Sequence, residues 1–183
     1  MDIKDIVKYL NEYDGKPLSF MEVCGTHTAA ISENGIPSLL SDKIKLISGP
    51  GCPVCVTASG YIDKLCDLAL TPNTCIVTFG DLIRVPSSST SLQEIKSKGG
   101  RVQMVYSPFE IVELAKAEPE TEFIFAAVGF ETTTPIYAVL LEQIMNENIK
   151  NIKLLTALKT MPKAIERLCE MGGKIDGFIA PGH

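Results

Sequence analysis

Two cysteines separated by two residues, in Gly49-Pro50-Gly51-Cys52-Pro53-Val54-Cys55, can close a reducible disulfide or bind a metal as a pair. The intervening Pro53 restricts the turn. Gly49, Pro50 and Gly51 stiffen the approach and leave room for close backbone contact. Upstream, Cys24-Gly25-Thr26-His27-Thr28 places a third thiol where an apolar run, Leu18 to Val23, meets a helical pattern. A thiol there faces unpaired N–H groups and the positive end of a helix dipole. Both favour the thiolate, the form that attacks and that binds metals. His27, three residues on, is a candidate second ligand or proton carrier, and Thr26 and Thr28 are candidate helix caps. The plainer alternative is a buried cysteine beside a hydrogen-bonded histidine.

Further along, Thr78-Phe79-Gly80-Asp81-Leu82-Ile83-Arg84-Val85-Pro86 puts an acid and a base just beyond a strand. Asp81 and Arg84 can orient the cysteines, hold an anion, or pair with each other as a loop clamp. In Gly129-Phe130-Glu131-Thr132-Thr133-Thr134, Glu131 sits at another strand-to-helix turn, where a first-turn acid also suits the helix dipole. His183 is the second of two histidines and the last residue; terminal residues commonly fray. No Walker sequence, dinucleotide glycine fingerprint or Ser-His-Asp order is present.

These residues need strand ends to hold them, and the sequence provides them. Apolar runs at 18–23, 44–48, 74–79, 101–106, 122–128, 152–158 and 175–180 read as strands. Helical patterns at 2–13, 26–34, 57–70, 90–99, 107–117, 134–147 and 161–171 separate them. Ser107-Pro108-Phe109-Glu110 carries a capping box, and Thr134-Pro135 and Met161-Pro162 place proline at helix starts. The Ser/Thr run at 87–91 reads as a loop and cap. Strands without alternation, divided by helices, predict an α/β fold of mainly parallel sheets flanked by helices. The polar stretch from Ala115 to Glu122, with Pro119, is the expected boundary. It gives one complete α/β domain over 1–116 and part of a second, similar one over 117–183. Phe20–Thr28 echoes Phe125–Thr133 in a strand, sharp turn and Thr-rich helix start, and Ser48–Gly51 echoes Ile179–Gly182.

With 183 residues, 45% hydrophobic and 21% charged, the chain can build a sizeable core. The net charge of −5 and the lack of any Lys/Arg cluster argue against nucleic acid. An acidic N-terminus and apolar runs too short for a bilayer predict a cytoplasmic protein with no membrane partner. In that compartment, paired cysteines serve metals or redox cycling rather than as staples. Cys66, Cys75 and Cys169 lie in apolar-periodic segments and are expected in the core.

Five segments, in order, resemble the HypD family of hydrogenase maturation factors: Met21–Thr28, Gly49–Thr57, Thr78–Asp81 with Arg84–Pro86, Gly129–Thr133 and Gly177–His183. The resemblance implies a scaffold on which an iron centre with cyanide and carbon monoxide ligands, Fe(CN)2CO, is assembled for nickel–iron hydrogenase. This is a maturation role with a thiol redox step rather than a turnover enzyme. It implies that Cys24 binds the iron, with His27 a possible ligand, and that Cys52 and Cys55 form the redox dithiol. Thr26, Thr28, Asp81, Arg84, Glu131, Thr132 and His183 would be supporting residues. The implied partners are a HypC-like small chaperone sharing the iron and a HypE-like cyanide donor. Family members are about twice this long, so the chain is read as truncated. The cluster-binding cysteines lie in the missing part, so no iron–sulfur cluster is expected here: Cys66, Cys75 and Cys169 lack cluster spacing. Two other classes fit the thiols, a structural zinc module on Cys24, His27, Cys52 and Cys55, and a general thiol–disulfide oxidoreductase.

Overall fold

All seven apolar runs form strands, and every pairing between them is parallel. The computed structural model describes residues 2–181. In chain order the elements are α1 (Ile3–Asn11), β1 (Leu18–Glu22), α2 (Gly25–Glu33), a 3-10 turn (Ile36–Leu39), β2 (Ile44–Ser48), α3 (Ser59–Ala69), β3 (Thr74–Thr78), α4 (Leu92–Ser97), β4 (Val102–Met104), α5 (Glu110–Ala117), β5 (Glu122–Gly129), α6 (Thr134–Asn146), β6 (Ile152–Leu158), α7 (Met161–Glu170) and β7 (Gly177–Ile179). The strands form two sheets, ordered β2-β1-β7 and β4-β3-β5-β6. The α/β architecture expected from the sequence is present.

The chain divides differently from the boundary read at 116/117. One compact unit comprises the residues up to Cys52 and those from Met161 onward; the other is Pro53–Thr160. The stretch from Ala115 to Glu122 is the connection from α5 to β5 inside the second unit, whose β5 pairs directly with β3. It is polar because its groups are tied down locally. Arg101 donates to Glu118 at 2.7 Å and to Thr121 at 3.0 Å. Asn151 Nδ2 donates to the carbonyls of Ala115, Glu118 and Thr121. A polar, Pro-containing segment is as good a floor for a sheet as it is a linker.

The second unit has a core on each face of its sheet. Alternate residues of β3 and β5 supply one side with Cys75, Val77, Phe123, Phe125 and Ala127, and the other with Ile76, Ile124, Ala126 and Val128. Its helix starts follow the sequence signals. The Glu110 carboxylate accepts from the N–H groups of Ser107 at 2.7 Å and Tyr106 at 2.9 Å, and Ser91 Oγ accepts from the Glu94 N–H. Cys66 and Cys75 are buried as expected, and burial pushes both thiols up. Cys169 is exposed instead, because α7 buries none of its residues. In the first unit, α1 likewise leaves Ile3 and Ile6 exposed and contributes Leu10 to an apolar pocket.

Tyr137 makes the second core sensitive to base. Its hydroxyl donates to the Val128 carbonyl at 3.0 Å, and burial, with Asp81 nearby, pushes its pKa up from 10 to about 12. The unfolded chain therefore loses this proton first as pH rises, and stability falls with it. We expect unfolding free energy from urea titrations to be level in this respect below pH 10 and to drop between pH 10 and 12. Tyr137→Phe should flatten that slope. An unchanged slope would show that Tyr137 ionises as freely in the folded protein as in the unfolded chain.

Candidate functional site

The first unit presents Cys24 and Cys52 side by side at the carboxyl ends of neighbouring strands. Cys24 follows the central strand β1, and Cys52 follows β2 by way of Gly49-Pro50-Gly51. The two exits cross at backbone contact. The Gly49 N–H donates to the Glu22 carbonyl at 2.8 Å, and the Gly25 N–H to the Gly51 carbonyl at 3.4 Å. A Cβ on Gly51 would lie 2.1 Å from Cys24 N, and one on Gly49 2.6 Å from the Glu22 carbonyl oxygen. On the other side, a Cβ on Gly25 would stand 3.7 Å from Cys52 Cβ. Glycine at 49 and 51 is thus what lets the two cysteine-bearing turns touch.

Cys24 is buried, with an extended backbone at φ −149°, and is the cap residue of α2. Its position is fixed by Glu22, which the sequence reading passed over. This carboxylate is 2% exposed; Oε2 accepts the Cys24 N–H at 3.2 Å and Oε1 accepts the Thr28 hydroxyl at 2.5 Å. Thr28 therefore ties α2 back to β1 rather than capping the helix, and Thr26 is exposed. An acid closing an apolar strand two residues before a cysteine was the available signal. His27 lines the apolar pocket of about 410 Å³ with Leu10, Phe20, Ile31 and Leu46, and its buried Nδ1 has no hydrogen-bond partner among the described residues. Cys24 itself is extended and precedes the helix that carries His27.

The second unit holds the rest of the dithiol segment. In its sheet the chain leaves β3 toward β4 and leaves β5 toward β6, so the order reverses between β3 and β5. Open parallel sheets bind ligands at the carboxyl ends of such a pair. There, a crevice of about 150 Å³ is lined by Thr78, Phe79, Asp81, Val128, Thr133 and the two residues between the paired cysteines, Pro53 and Val54. Asp81 thus joins this crevice. Arg84 is exposed, does not line it and forms no ion pair with Asp81 among the described residues. Glu131 and Thr132 are exposed on the turn from β5 to α6, and Glu131 lines a separate cavity of about 460 Å³ with Lys159. His183 lies outside the described residues.

Cys52 and Cys55 are both disulfide-bonded, whereas Cys24, Cys66, Cys75 and Cys169 are free. Among the described residues, no group of three His, Cys, Asp or Glu side chains is gathered to hold a metal. No helix there is long and apolar enough to cross a membrane.

A soft thiol and a disulfide at the tips of parallel strands agree with the order of motifs, and comparison with known proteins decides the family. The model of the HypD family, described as "Hydrogenase formation hypA family", matches residues 2–183. The chain belongs to the HypD family. The hydrogenase maturation factor HypD of Rhodobacter capsulatus is 41% identical over 169 residues, covering 92% of this chain and 45% of that protein. The HypD of Escherichia coli K12 is 38% identical over 182 residues, covering 99% and 49%. A putative hydrogenase expression/formation protein of Methanocaldococcus jannaschii is 40% identical over 183 residues, covering 99% and 51%. The chain spans about half the length of these relatives.

Proposed function

We propose that this chain serves hydrogenase maturation as a scaffold for the Fe(CN)2CO unit. Cys24 binds the iron, and Cys52 with Cys55 supplies a two-electron thiol step. The observation that carries the reading is the glycine crossing, which sets Cys24 against Cys52 at adjacent strand ends. Iron is here the cargo. A thiolate suits low-valent iron, and one buried cysteine leaves the remaining coordination positions to the cyanide and carbon monoxide ligands and to a partner. That arrangement fits a HypC-like small chaperone sharing the metal, with a HypE-like protein donating cyanide. The reading places the work in the cytoplasm.

The test is anaerobic co-purification with a HypC-like chaperone, followed by iron analysis and hydrogenase activity in the host. Cys24→Ala is expected to abolish iron retention. Cys52→Ala should keep partner binding while blocking maturation. Iron unchanged in the Cys24 variant would discard the ligand assignment.

The disulfide-bonded state of Cys52 and Cys55 favours one second reading, a general thiol–disulfide oxidoreductase. That reading requires disulfide reductase activity that survives Cys24→Ala.

A further inference from the structure

The mechanism above leaves one half-buried cation, Lys159, unused. Lys159 directly follows β6, and its Nζ donates to Thr57 Oγ1 at 3.0 Å and to the Ala157 carbonyl at 3.2 Å. Thr57 in turn donates its hydroxyl to the Pro53 carbonyl at 2.8 Å and its N–H to the Val54 carbonyl at 3.1 Å. The ammonium is therefore fastened, through one hydroxyl, to the turn that carries Cys55. Thr57 and Ala157 are neutral acceptors, so neither cancels its charge. Burial also lowers its pKa, as expected of a cation partly withdrawn from water. Two carboxylates face this region from neighbouring elements: exposed Glu131 lines the cavity beside Lys159, and Asp81 lines the crevice beside Pro53 and Val54. Lys159 has a hydrogen-bonded route to the turn, through Thr57.

We infer that Lys159 is a positioning residue whose positive charge stabilises the thiolate of Cys55 and so sets the redox poise of the Cys52–Cys55 couple, an inference that rests on the dithiol reading above. The step is an exchange with an external dithiol. Its first thiolate attacks Cys52 Sγ, the Cys52–Cys55 bond breaks, and Cys55 leaves as a thiolate. Its second thiol then attacks the mixed disulfide and releases Cys52. The external dithiol is oxidised to its disulfide, this pair is reduced, and the two protons pass from the external thiols to Cys52 and Cys55. A cation held near the leaving sulfur speeds the first step and stabilises the reduced pair, which makes the couple more oxidising.

The experiment is equilibration of the purified chain in glutathione redox buffers at pH 7, with the Cys52 and Cys55 thiols counted by alkylation and mass spectrometry. Lys159→Met is expected to favour the disulfide about tenfold, a fall of about 30 mV in potential. Lys159→Arg, which keeps the charge, should stay within about twofold of the parent. Thr57→Val, which keeps the lysine but cuts its link to the turn, should move the couple less than Lys159→Met. Lys159→Gln, neutral but polar, should match the Met variant and serves where the latter fails to fold. An unchanged potential in the neutral variants, or an Arg variant as displaced as the Met variant, would overturn the role of charge. A parent protein whose Cys52 and Cys55 never exchange with glutathione would overturn the dithiol reading itself, and this inference with it.

Discussion

Gly51→Ala should force apart the turns that carry Cys24 and Cys52 and cost the first unit about 3–5 kcal/mol. The new Cβ would lie 2.1 Å from both Val23 C and Cys24 N, and 2.3 Å from the Val23 carbonyl oxygen. These are backbone atoms, so no side-chain rotation relieves the collision and the exits of β1 and β2 must part by about an ångström. Parting them threatens the hydrogen bonds from Gly49 to Glu22 and from Gly25 to Gly51. Each is worth about 1 kcal/mol, and overpacking typically adds about 1–3 kcal/mol. Against a total stability on the order of 5–15 kcal/mol, that is a large fraction. Iron retention should fall with it, although every thiol is still present. Gly60→Ala is the opposite case: a Cβ there meets nothing within 4 Å, and the residue lies in α3, so stability should rise by up to about 1 kcal/mol. Urea midpoints of the two variants check both signs. A Gly51 variant as stable as the parent would show that the strand exits can separate freely.

The strands were readable because burial on both faces leaves a plain trace, short apolar runs without alternation, and the caps at Ser91 and Glu110 marked where helices begin. Pairing was not readable in the same way. A buried run announces that it needs neighbours without naming them, and β7 adds to β1 from the far end of the chain. Hence the discontinuous first unit was missed and a polar connection was taken for a boundary. The thiols at 24, 52 and 55 were legible from type and spacing, since strand ends are where such residues work. Their supports were not. Glu22 and Lys159 look like ordinary charged residues at the ends of apolar runs, and only the fold shows that one holds the Cys24 N–H and the other reaches Thr57. Cys169 was expected in the core but is exposed, because the half-buried face of α7 is formed by Met161, Ala164, Ile165 and Leu168 instead.

The crevice that receives Pro53 and Val54 depends on packing beneath it, which makes Phe125→Ala the second large effect. Phe125 is fully buried in β5, with its ring edge-on to Phe79 at 5.5 Å and tilted against Tyr137 at 5.7 Å. Removing a buried aromatic ring loses its transfer energy and leaves a cavity, together about 3–5 kcal/mol. The site of the loss matters as much as its size. Phe79 lines the crevice with Asp81 and Val54, and removing Phe125 takes away the ring it packs against edge-on. Phe125→Leu refills most of the volume and should cost less than half as much. Denaturant midpoints should therefore rank parent, Leu and Ala in that order. The rate at which dithiothreitol reduces the Cys52–Cys55 disulfide should rise in the same order as Phe79 loosens. A Phe125→Ala protein that loses less than about 1 kcal/mol would mean that the sheet closes over the gap and that the crevice has another foundation.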